Sequence, residues 1–218
     1  MTESAIFIAF LGILLVGSWL LVRYYRRRRL LATLAYRLGF RFSAHCDPTL
    51  LGRFAGLYLM QLGHARRADR EIKGRREELE LTAFDYTYET GVGRDRSINH
   101  ASVVVWKGKQ ILPSIVALCG NSFHPLGKFA PFVFSPTRNP DFDQAFILYS
   151  DPPEKALRVL TPDLLRLLLR CQGVNWEFND RYIAFFTDRL LSARQLRRLI
   201  QRGLQITQFL SNPVTKPE

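Results

Sequence analysis

The first thirty positions of the chain follow a different hydrophobic rule from the rest. Residues Ala5 to Val22 read AIFIAFLGILLVGSWLLV, without a charge and with Ser18 as the single hydroxyl. At 1.5 Å per residue a helix of this length covers about 27 Å, the thickness of a hydrocarbon core, so the run is expected to be a transmembrane helix. Trp19 near its far end and the following Arg23-Tyr24-Tyr25-Arg26-Arg27-Arg28-Arg29 predict a membrane-interface anchor. A secretory signal peptide would carry its basic residues before the apolar run and a small-residue cleavage site after it, and neither is present. By the positive-inside rule the arginines lie in the cytoplasm, the short N-terminus outside and residues 30–218 inside.

Beyond the arginines the pattern alternates between periods. Leu30 to Leu38 continues in helical character and Gly39 stops it. Phe40-Arg41-Phe42 reads as a short extended piece, and Asp47-Pro48 opens a helix over 48–55. The polar stretch His64 to Lys73 has the character of an exposed edge strand. Leu79, Leu81 and Ala83 alternate with polar residues, and from Phe84 the parity changes to Phe84, Tyr86 and Tyr88. Such a switch means a bulge or a strand buried on both faces. Gly91 to Arg96 is a loop, and Ser102 to Trp106 and Ile111 to Cys119 are two strands, with Pro113 marking an edge or bulge. Residues 120–141 form an irregular crossover, 145–149 a short strand and Pro153 to Val159 a helical turn or two. Thr161-Pro162-Asp163 starts a helix that ends before Gly173. Val174 to Phe178 and Tyr182 to Phe186 read as a hairpin about Asn179-Asp180, and Ser192 caps a last helix over 193–210. The fold class expected is α+β: an N-terminal transmembrane helix, then an antiparallel-sheet cytoplasmic domain with helices packed on one face. The divisions are 1–29, 30–211 and a flexible tail at 212–218.

Composition adds a charge. The 218 residues are 47% apolar and 23% charged, which is ordinary for a globular chain. Lys plus Arg is 31 against 19 Asp plus Glu, a net +12. With the five arginines of 23–29 and Glu3 set aside, 26 bases and 18 acids remain, so residues 30–218 carry +8 on their own. A lipid bilayer is therefore the expected partner, through anionic lipids or a membrane protein partner. Nucleic acid is not expected, because neither an RNP-like aromatic pattern nor a helix-turn-helix signature is present. The three cysteines, Cys46, Cys119 and Cys171, are too scattered for a disulfide framework or a cysteine zinc site and agree with a reducing compartment.

The chemistry-bearing candidates are few. His45, His64, His100 and His124 lack metal-ligand spacing, and the neighbours His45-Cys46-Asp47 point in different directions, so no metal and no other cofactor is expected. Gly91-Val92-Gly93 lacks the rest of a phosphate loop and reads as a hairpin tip. Cys119-Gly120-Asn121 beside His124 suggests a thiol with a base, against the simpler reading of a buried strand-end cysteine. Asp85, with Tyr86 and Tyr88, is the first suspect for an unrecognised catalytic site, since a carboxylate in an aromatic strand can have a raised pKa. No second acid, histidine or nucleophile stands at a defined spacing from it, so no catalytic residue is assigned and Asp85→Asn is expected to change little beyond local stability. The last helix carries Arg194, Arg197 or Arg198, Gln201 or Arg202, and Gln205 on one face and Leu196, Leu199, Ile200 and Phe209 on another. Two readings stand side by side, a helix covering the sheet and a basic face laid on lipid.

The span, the arginine-rich stalk, Leu38-Gly39-Phe40, the strand Phe84-Asp85-Tyr86-Thr87-Tyr88, Val103 to Val105, Leu112-Pro113 and Leu160-Thr161-Pro162 together resemble a family of uncharacterised bacterial single-pass membrane proteins of unknown function. The resemblance implies a bacterial inner (cytoplasmic) membrane setting and no catalytic residues. The expected function is a membrane-tethered cytoplasmic interaction module that binds a protein partner or an anionic lipid surface. A membrane-anchored enzyme with a site around Asp85 is the alternative.

Overall fold

Thirty-seven consecutive residues, Thr2–Leu38, form one helix, α1. The computed structural model describes residues 2–120 and 132–211, with the side chains of 2–6, 8, 9, 20, 21 and 23 left aside. Half of the predicted irregular crossover, 121–131, therefore falls outside the described residues, as do His124, the tail at 212–218 and the side chain of Arg23. α1 ends where predicted. Gly39 adopts φ +73, and the Phe40 N–H reaches back to the Ala35 carbonyl at 2.9 Å, the six-to-one bond of a left-handed helix stop.

After α1 come β1 (Arg41–His45), α2 (Leu50–Arg53), α3 (Tyr58–Gln61), β2 (His64–Arg76) and β3 (Leu79–Thr90). Then follow β4 (Ser97–Cys119), β5 (Val133–Phe134), α4 (Pro140–Ala145), β6 (Phe146–Asp151), α5 (Pro153–Val159), α6 (Pro162–Leu169), β7 (Asn175–Thr187) and α7 (Ala193–Ser211). The strands make one seven-stranded sheet in the order β1-β2-β3-β4-β6-β5, with β7 also paired to β4, and every pairing is antiparallel. β2 is not the edge expected of it: β1 covers its outer side from Arg41↔Lys73 to His45↔Asp69.

β4 and β7 fold around each other. The first arm of β7 pairs with the second half of β4 (Trp176↔Ala117) and its second arm with the first half (Thr187↔Ser102). A straight thirteen-residue strand would separate its ends by about 40 Å. Instead Asn175 Nδ2 lies 3.4 Å from Asp188 Oδ1. The chain therefore reverses at Asn179–Arg181, where Asp180 takes φ +52, as the hairpin reading required. β4 reverses with it across 108–111, where the register with β7 jumps.

The parity switch in β3 has a simple origin: both faces of the strand are buried. Leu79, Leu81 and Ala83 enter one core cluster, with Leu31, Leu34 and Ala35 of α1, Leu164 and Leu168 of α6, and Leu196, Leu199 and Ile200 of α7. Phe84, Tyr86 and Tyr88 enter a second, with Phe54, Leu57, Tyr58 and Met60 from the α2–α3 segment. Helices thus cover both faces of the sheet, not one, because a wide sheet whose strands are apolar on both sides cannot leave either to water. The bulge lies in the partner strand. Between Asp69↔Asp85 and Ile72↔Ala83, β2 uses one residue more than β3, and Arg70 takes φ +57.

The N-terminus requires a correction. Among the described residues no helix is long and apolar enough to cross a membrane, so the expected transmembrane helix and the single-pass inner-membrane topology are not supported. The physical contrast with the expected anchor lies in the arginines. α1 runs through them without a break and lays its following turns on the sheet, with Leu31 and Ala35 fully buried. Arg27 belongs to the same face and is built into the domain, as described next. The described side chains of the apolar run, among them Phe7, Phe10, Ile13 and Val22, are exposed.

Candidate functional site

Asp85 lies on the α1 side of β3, with only 3% of its side chain exposed. Arg27 grips it with two parallel bonds, Nε to Oδ2 at 2.7 Å and Nη2 to Oδ1 at 2.6 Å. Arg70, turned inward by the β2 bulge, donates from Nε to Oδ2 at 2.6 Å. Ser102 Oγ donates to Oδ1 at 3.3 Å and accepts the Leu191 N–H at 2.9 Å, while Arg27 Nη1 donates to the Leu191 carbonyl at 2.8 Å. One carboxylate thereby ties together α1, β2, β3, β4 and the connector leading to α7. Both of its oxygens are held by guanidinium groups, so it is placed to bear load and not to take a proton from a substrate.

The other candidates disperse. Tyr86 and Tyr88 stack on each other in the opposite core, 5.4 Å between centroids, and burial pushes both phenols up to about 12. His100 bonds Thr87 Oγ1 at 3.1 Å. Of the membrane-interface set, Tyr24 lies under the Arg70 guanidinium at 5.6 Å and packs edge-on with Tyr25, and Arg26, Arg28 and Arg29 are exposed. Trp19 is also exposed. The Gly91–Arg96 stretch is a hairpin tip, with Gly91 and Gly93 at positive φ and Arg96 paired to Glu89. Burial raises the three thiols, Cys46 to about 12 and Cys171 to about 11, which keeps them protonated and poorly nucleophilic. Among the described residues no group of three or more His, Cys, Asp or Glu could hold a metal ion.

Two features escaped the sequence reading. Glu177, on β7 beneath α3, is wholly buried and accepts the Tyr58 N–H at 2.6 Å, and burial lifts its carboxyl to about 8. The second is a cleft between the 171–174 turn and α7. It has a volume of about 230 Å³, a floor of Val174, Leu191 and Leu199, and a rim of Arg189, Arg198 and Arg202 with Gln172 and Gln195. It continues into a wider depression of about 710 Å³ that adds Cys119, Asp141, Gln144 and Asp188.

The class defined by this architecture is an antiparallel sheet covered by helices on both faces, with a buried ionic lock and an arginine-rimmed cleft beside α7. The fold is shared with the mycobacterial trehalose monomycolate transport factor A, TtfA. That crystal structure superposes with a TM-score of 0.63 over 88% of this chain and 98% of its own, at 13% sequence identity. No family model and no curated protein matches the chain.

Proposed function

We propose that the chain is a non-catalytic module of a lipid-transport system, engaging lipids that carry an acidic headgroup. The observation that carries the reading is the fold held in common, over nearly the whole of both chains, with a protein whose name describes it as a trehalose monomycolate transport factor. The charge supports it: with a net +12, the surface attracts acidic amphiphiles over neutral ones. The chemistry supports it as well, since Asp85 is consumed by two arginines and the thiols are held protonated.

The test is purification of the full-length protein in mild detergent, followed by mass spectrometry of extracted lipid. Enrichment of an acidic lipid over its share in the source membrane, at a fixed ratio to protein, is expected. A lipid profile equal to that of the bulk membrane, or none above detergent background, would overturn the proposal.

A further inference from the structure

We infer that the cleft rimmed by Arg189, Arg198 and Arg202 binds the phosphodiester headgroup of a lipid. The inference deepens the proposed lipid-transport role and rests on it only for the source of the phosphate.

The argument starts from which cations are already neutralised. At the opposite end of the sheet a second basic depression gathers Arg41, Arg53, Lys73 and Arg75. Carboxylates pair with two of those four, Arg53 with Asp47 at 3.2 Å and Lys73 with Glu71 at 3.9 Å, and Glu80 lines the depression beside the other two. Arg27 and Arg70 are likewise spent on Asp85. Arg189, Arg198 and Arg202 have no salt bridge among the described residues, yet they converge on one cleft. Three guanidinium groups lining one small cleft repel one another, and an anion at that point relieves the repulsion.

The backbone holds the three in place. Arg198 and Arg202 stand one helical turn apart on α7, with Gln195 three residues before Arg198. That helix is fixed by a reciprocal cap: Ser192 N–H bonds Gln195 Oε1 at 3.0 Å, and Gln195 N–H bonds Ser192 Oγ at 3.3 Å. Arg189 sits on the connector whose carbonyl accepts Thr187 Oγ1 at 2.8 Å, and the neighbouring Leu191 is tied at both its N–H and its carbonyl. The backbone that carries the three cations is therefore fixed, and the floor of Val174, Leu191 and Leu199 offers apolar contact next to them. A charged rim over an apolar floor suits the junction of a headgroup with its glycerol and first methylenes. Asp141 and Asp188 line the wider depression that the cleft opens into.

The experiment is calorimetric titration of the full-length protein with monomeric dihexanoylphosphatidylglycerol and, separately, with inorganic phosphate. The variants are Arg198→Gln with Arg202→Gln, and a control of equal charge change in the other depression, Arg41→Gln with Arg75→Gln. The short-chain lipid is expected to bind the wild type and the control alike and to bind the cleft variant about tenfold or more weakly, as loss of two charge-assisted contacts requires. Equal weakening in both variants, or binding of inorganic phosphate without the lipid, would overturn the inference. If the cleft variant still co-purifies with the same acidic lipid as the wild type, the inference fails while the lipid-transport reading stands. If the titrations separate the variants but the wild type co-purifies with no lipid, the reading fails and the cleft remains an anion site. All four substituted arginines are exposed, so folding of both variants is checked simply, by an unchanged unfolding midpoint.

Discussion

Replacing Asp85 by Asn is the sharpest test of the ionic lock, and the structure revises the mild effect that the sequence alone suggested. The wild-type carboxylate sits between two guanidinium groups, Arg27 with 20% and Arg70 with 13% of the side chain exposed. Asn keeps the size but removes the negative charge, so two half-buried cations are left facing one another across a neutral amide. Breaking a buried ion pair from one side costs about 3–5 kcal/mol, because the remaining charge is neither solvated nor matched. The residual exposure of both arginines places the effect at the lower end, about 3 kcal/mol, a large share of the 5–15 kcal/mol typical of a domain. Urea unfolding of the full-length chain should show that loss at unchanged slope. Hydrogen exchange should locate it: amides of 27–38 in α1 and 69–72 in β2 should lose protection before those of β4. Arg27→Met added to Asp85→Asn should cost much less than the sum of the two single changes, with a coupling of about 1.5 kcal/mol or more. A change below about 1 kcal/mol for Asp85→Asn, with unaltered exchange in α1, would refute the claim that this carboxylate holds the helix on the sheet.

Glu177→Gln is expected to raise stability at neutral pH and to flatten its pH dependence. Burial lifts the folded carboxyl to about 8 from 4.5, so between those values the unfolded chain sheds a proton that the native state keeps. Wild-type stability should therefore fall as pH rises through that window, by up to about 1.4 kcal/mol per pH unit, and level off above it, while the Gln variant shows no such slope in urea titrations at pH 4, 6 and 8. Gly203→Ala, which would gain helix propensity on an open helix, should instead destabilise by about 1–3 kcal/mol, because the added Cβ would stand 2.8 Å from Trp106 Cδ1 and 3.1 Å from Phe185 Cε2. A rise in thermal midpoint would contradict that packing. Ser192→Ala should cost about 1 kcal/mol by removing the α7 cap, and circular dichroism with thermal unfolding would detect the lower midpoint.

Local signals in the chain translated well into local structure. Thr161 caps α6 through Leu164 N–H, Gly39 stops α1, and the turn at Asn179-Asp180 reverses the chain, because each depends on residues within a few positions of one another. The nesting of β4 around β7 was not legible, since it is set by pairs such as Val103↔Phe186 that lie far apart in sequence. The membrane span read from 5–22 failed for a different reason. An apolar run followed by arginines reads locally as a boundary, whereas the helix continues and the arginines are divided by its phase. Arg27, Leu31, Leu34 and Ala35 fall at i, i+4, i+7 and i+8, one stripe of a helix, and that spacing could have singled Arg27 out of its cluster. Nothing local marks Arg70, whose inward turn comes from a left-handed bulge at a residue that is not glycine.

Net charge could not separate the arginines by task, because it counts them alike. What separates them is whether a carboxylate stands within reach. Asp85 serves two arginines from different elements, and through Ser102 and Leu191 the same lock fixes the connector that carries Arg189 toward the cleft. The two arginines held by Asp85 join α1 to the sheet and supply rigidity, while Arg189, Arg198 and Arg202, without a salt bridge among the described residues, stand on either side of Leu191, on the connector and on α7. The two sets meet at a single residue: the backbone of Leu191 completes the lock, and its side chain floors the cleft. Rigidity and an unmet positive charge are thus adjacent by construction, which suits an anion site, since a backbone already fixed before binding leaves only the arginine side chains to be ordered when the ligand arrives.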